Sequence, residues 1–124
     1  MYVIERVRLA ETYLDQNAPL AALETLHPVE DELAGVTAGE LLLARGYFGS
    51  AQLSRAEEAF RRVIELDPVD DYAHFALGRT LERQGRGSEA AGYYRMAVAM
   101  NPRPEYQQRL LALEAAASQS SAAR

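Results

Sequence analysis

His27 and His74 are the two histidines of a chain that has no cysteine, and with them almost every route to covalent or metal chemistry must be judged. Neither belongs to an acid–His–hydroxyl arrangement, and neither has the partners at metal-ligand spacing that a zinc or catalytic site needs. His74 reads as a packing residue, and His27, just before Pro28, as an exposed one. Asp67, Asp70 and Asp71 flank Pro68 but lack the glycine and terminal glutamate of a calcium loop, so they read as helix caps. All 13 basic residues are arginine, which rules out a Schiff-base lysine and a phosphate-binding P-loop. The sequence predicts no enzyme, no metal and no cofactor. What remains is binding chemistry: guanidiniums and aromatic rings, a combination suited to an acidic side chain or a C-terminal carboxylate.

Charge and hydropathy narrow the partner further. The net charge is −5, with six arginines against fourteen acids over residues 1–71 and seven against four over 72–124. An acidic body lacks the continuous basic footprint of a nucleic-acid binder, whereas the basic second half suits an acidic partner. The longest aliphatic run, Leu41-Leu42-Leu43-Ala44, is far short of the roughly 20 residues of a membrane span. The start of the chain carries Glu5, Arg6 and Arg8 rather than an apolar signal core. A cytoplasmic protein without nucleic-acid or membrane contact is expected. Arginine-only basicity with heavy alanine use suggests a bacterial, high-GC genome such as an actinobacterial one.

The elements that must position these residues repeat. Leu9-Ala10, Leu43-Ala44 and Leu77-Gly78 stand 34 residues apart, as do Tyr13, Tyr47 and Leu81, then Ala22, Ala56 and Ala90, then Leu26, Phe60 and Tyr94. Pro68 and Pro102 keep the interval, and Leu111-Ala112 extends it. A fixed period of this length means stacked helical hairpins. Helices are predicted from about Val3 to Gln16, from Thr37 (with Glu40 as a capping box) to about Phe48 or Ser50, over 54–66, from Asp70 or Asp71 to Gln84, from a Ser88 cap to Met100, and over 105–117. Pro28 should break the second helix of the first hairpin. Glu57 with Arg61, and Glu58 with Arg62, are expected as exposed i,i+4 pairs.

These repeated positions resemble the tetratricopeptide repeat family over about residues 3–117. The resemblance implies an all-α fold, a right-handed α-solenoid of about three tetratricopeptide units plus a C-terminal capping helix. A single domain over 1–117 is expected, with units at about 3–36 (degenerate), 37–70 and 71–104, a capping helix at 105–117, and a flexible tail at 118–124. In that family the first helices line a concave groove that binds a peptide or helix of another protein. The matching residues are Ile4, Val7, Glu11 and Leu14, then Ala38, Leu41, Arg45 and Phe48, then Tyr72, Phe75, Arg79, Glu82 and Arg83. A subset of the family grips chaperone tails with a two-carboxylate clamp of Lys, Asn and Arg. Here the clamp positions hold Val7, Glu11, Leu42, Tyr72 and Ala76, so Hsp70- or Hsp90-type tail binding is not implied. The expected role is a non-catalytic adaptor; the alternative is a homodimer or larger homo-oligomer formed through the same apolar surface or an open end.

Overall fold

The computed structural model describes residues 2–122, which are helical apart from short turns. The helices are α1 (Val3–Asp15), α2 (Pro19–Leu26), α3 (Glu30–Leu33), α4 (Thr37–Gly49), α5 (Leu53–Leu66), α6 (Asp71–Arg83), α7 (Gly87–Met100) and α8 (Pro104–Ala122). They form two compact units, one ending at Pro68 and one beginning at Val69. No helix among the described residues is long and apolar enough to cross a membrane.

The 34-residue period is the packing rule of both units. Ala10, Ala22, Ala44 and Ala56 are wholly buried in the first, and Leu26 and Phe60 fill the space between the helices they serve. In the second unit Gly78 faces Tyr94 so closely that a Cβ on it would lie 2.6 Å from the tyrosine ring. Gly46 is pressed by Leu23 in the same way, at 2.7 Å. Small residues stand where helix backbones approach, and a larger side chain would need the pair to part.

The three hairpin turns share one geometry. Asn17, Ala51 and Gly85 adopt left-handed conformations, with φ of 57°, 61° and 79°. The following amides, Ala18, Gln52 and Arg86, donate to the carbonyls of Tyr13, Tyr47 and Leu81 at 2.8–2.9 Å. That is the Schellman closure of a helix end. Asparagine and glycine suit the left-handed slot; alanine does not, and its Cβ costs about 1–2 kcal/mol there.

Several local expectations need correction. The break at Pro28 is present, with α2 giving way to a 3₁₀ turn at His27–Val29 before α3. The Thr37 capping box does not form: Val36 is the N-cap and makes no side-chain cap. Glu40 turns instead to Arg62, whose Nε donates to it at 2.9 Å. Arg62 is thus drawn across from α5 to α4 and not held by Glu58, because Glu40 is 4% exposed and needs a cation. The Glu57–Arg61 pair forms at 2.9 Å, with both residues half-buried and not exposed. Ser88 does not cap α7, which begins at Gly87 behind Arg86, whereas Asp70 caps α6 by accepting from the Ala73 amide at 2.9 Å. Helix α8 runs on from the expected 105–117 through Ala122; of the tail at 118–124, Ala123 and Arg124 lie outside the described residues.

Candidate functional site

In the first unit, α1 and α4 lie against each other and bring one set of candidate residues together. Val7 and Leu14 are half-buried and pack against the core of α1, α2 and α4, while Glu11 is exposed. Leu41, Arg45 and Phe48 are half-buried on α4. Arg45 reaches Asp15 of α1 at 3.9 Å, a pair that spans the two helices. Helical spacing explains the set: residues three, four and seven apart share a face, so each helix shows one stripe. Leu42, at a position of the carboxylate clamp, is buried in the core.

The second unit corrects one assignment. Phe75 is not an open groove residue. It is 2% exposed, with its ring stacked on Tyr106 of α8 at 4.4 Å between centroids and tilted against Tyr94 of α7 at 5.5 Å. Sequence reasoning overlooked Tyr106, although it falls 34 residues after Tyr72 and so belongs to the repeated pattern. Tyr106 is 1% exposed and its hydroxyl donates to Asp71 Oδ2 at 2.7 Å. Burial, with the hydrogen bond to and the charge of Asp71, pushes its pKa up to about 12. Tyr72 is 39% exposed at the start of α6. Ala76, another clamp position, is buried.

Further along α6, Arg79, Glu82 and Arg83 line an open depression with Arg109 of α8, about 180 Å³ in volume. Three of these four were legible as candidates; Arg109 was not singled out, though it stands 34 residues after Phe75, in the series Val7, Leu41, Phe75. Glu82 is anchored there by the Tyr94 hydroxyl, which donates to Oε1 at 2.7 Å. Burial first, then Glu82, raises the Tyr94 pKa, and the charges of Arg109 and Arg79 oppose that rise. The guanidiniums therefore act on the same spot as the carboxylate. Paired guanidinium donors match an anion with two oxygens to share.

A second depression, about 300 Å³, lies in the first unit among Leu20, Leu23, Tyr47 and Arg55, with the Arg55 guanidinium 5.9 Å from the centre of the Tyr47 ring. Of the histidines, His27 lines this second depression, whereas His74 lines neither. His74 is buried, its Nδ1 2.9 Å from the Asp70 carbonyl, and His27 is exposed 3.5 Å from Glu30. Among the described residues no group of three or more His, Cys, Asp or Glu could hold a metal ion.

The sequence profile of the tetratricopeptide repeat matches residues 41–103, about half of the chain. No curated protein matches it. Among solved structures, MamA superposes with a TM-score of 0.84 at 21% identity, over 91% of this chain and 67% of MamA. The first tetratricopeptide domain of Spaghetti, bound to the Hsp90 peptide SRMEEVD, gives 0.84 at 16% identity, over 93% of this chain and 92% of the domain. A thermophilic tetratricopeptide protein of Thermus thermophilus gives 0.75 at 20%, over 90% of this chain and 63% of its own. These likenesses show the fold.

Proposed function

Because the chain belongs to the tetratricopeptide repeat family, we propose that it is a non-catalytic adaptor that binds a peptide or helix of a partner protein on the faces of its first helices. The observation that carries this reading is the α1–α4 face. There Val7, Leu14, Leu41 and Phe48 keep part of their apolar surface in water beside Arg45 and Glu11, a mixture of apolar anchors and charged rim that fits an interface. In the second unit Tyr72, Arg79, Glu82 and Arg83 take the equivalent places. Phe75 supports that face from beneath and is left out of it. The Hsp90 peptide held by the Spaghetti domain supports peptide recognition in general. It does not extend to the same tail here, since Val7, Glu11, Leu42, Tyr72 and Ala76 carry none of the clamp's cations or amides.

Site-specific photo-crosslinking tests the reading. A benzoylphenylalanine at Leu41 should trap a partner polypeptide in native lysate, and one at Glu65, exposed on α5, should not. Phe48→Ala should lose the capture at unchanged helicity, since truncating an interface aromatic commonly costs about 2 kcal/mol or more of binding. Equal trapping from both positions would place the binding elsewhere.

Self-association is the second reading, and one observation favours it. Leu111, at the position where α6 has Leu77, is 65% exposed on α8. A second copy packed over that face would bury it. Light scattering decides, because Leu111→Gln should then convert a dimer to a monomer, whereas an adaptor is monomeric with either residue.

A further inference from the structure

We infer that the depression formed by Arg79, Glu82, Arg83 and Arg109 receives a carboxylate of an acidic residue in the partner peptide, with Arg109 of α8 as its selective wall. This rests on the adaptor reading and specifies which chemistry the second unit recognises.

Three features of the place support it. Its volume, about 180 Å³, is below the roughly 300–1,000 Å³ of pockets that enclose drug-sized ligands, so it suits a terminal group rather than a whole small molecule. Arg79, Arg83 and Arg109 line it together with Glu82, and guanidinium presents paired donors that match the two oxygens of a carboxylate. Glu82 then chooses between anions. Held by Tyr94 at 2.7 Å, it cannot leave the wall cheaply, and its charge opposes a phosphate dianion about twice as strongly as a monoanionic carboxylate. A peptide lying along α6 and α8 supplies such a group from its side chains. These residues differ from the clamp positions, because Arg109 belongs to α8 and Arg79 and Arg83 replace no clamp residue.

The test is selection of a random dodecapeptide display library on the full chain and on Arg109→Gln. Arg109 is exposed, and helicity by circular dichroism confirms that the variant is folded. The wild-type protein should enrich peptides with Asp or Glu recurring at one position, and Arg109→Gln should lose that preference while keeping the apolar positions. By fluorescence polarisation the best wild-type peptide should bind Arg109→Gln about tenfold or more weakly. Its Glu→Gln or Asp→Asn version should lose as much on wild type and little further on the variant. Arg95→Gln, on α7 away from the depression, should bind like wild type. Apolar peptides enriched without an acid preference would overturn this inference and leave the adaptor reading standing. Absence of any enriched peptide would sink both. Displacement of the peptide by inorganic phosphate more readily than by glutarate, at equal ionic strength, would assign the depression to free phosphate and overturn the inference as well.

Discussion

Arg61 and Arg62 are neighbours in sequence with opposite energetic weight. Arg61 holds Glu57 one turn away on α5, a half-buried i,i+4 pair of the kind worth about 0.3–0.5 kcal/mol. Arg62 satisfies Glu40, a carboxylate almost wholly removed from water. Arg61→Ala should therefore be nearly silent in urea melts, while Arg62→Ala should cost about 1–3 kcal/mol by leaving Glu40 without a cation. Arg62→Met paired with Glu40→Leu should recover much of the loss, because removing both charges removes the desolvation problem. A comparable contrast holds at Ala51, which sits at φ 61°. Ala51→Gly should raise stability by up to about 1 kcal/mol, the relief of left-handed strain offset in part by the freedom glycine brings to the unfolded chain. No motif in the sequence foretold the Glu40–Arg62 pair. Glu58 is the nearer helical partner for Arg62, and only the burial of Glu40 decides the competition. Alanine by itself gives no warning that its backbone is left-handed; only Asn17 and Gly85, 34 residues to either side, mark the slot.

Helices and their hairpins were much more legible. The Leu-small pairs, the recurring alanines and the Leu26, Phe60 and Tyr94 series told in advance which faces meet, because a 34-residue period leaves few ways to bury apolar surface. Gly78→Leu tests that phase: with Tyr94 already 2.6 Å from an added Cβ, it should unfold or loosen α6 against α7, whereas an equal melting shift from Arg61→Ala would contradict it. The sequence was least informative about α8. Reading it as a cap explained why it should be there but not how it holds on, which is through Tyr106 stacking on Phe75 and donating to Asp71. That same oversight placed Phe75 on an open groove, since spacing alone cannot tell a groove position from one roofed by a later helix. The attachment is sensitive to base. The Tyr106 pKa is raised in the folded state, so its contribution is complete below about pH 10, where the unfolded phenol also keeps its proton, and is lost as pH climbs towards about 12. The urea midpoint should fall over that interval, and Tyr106→Phe should flatten the fall while lowering the plateau at neutral pH.

At the scale of the whole molecule, the proposed recognition divides between the two units by chemistry: apolar anchors on α1 and α4 in one, guanidiniums on α6 and α8 in the other. Phe48→Ala should thus weaken partner binding with little change in its salt dependence, and Arg109→Gln should reduce the salt dependence itself, both measurable by titrating binding from low to high ionic strength. Asp71 has a further consequence. Its carboxylate accepts from Asn101 Nδ2 at 3.3 Å and from the Tyr106 hydroxyl at 2.7 Å, so the opening residue of α6 is fastened by groups that come 30 and 35 residues later. On a ribosome adding roughly 5–20 residues each second, the α6–α7 hairpin waits a matter of seconds with Phe75 uncovered until Tyr106 has cleared the exit tunnel. Chains arrested on a C-terminal linker too short to bring Tyr106 out of the tunnel should stay open to protease at α6, and chains arrested on a longer linker should be closed.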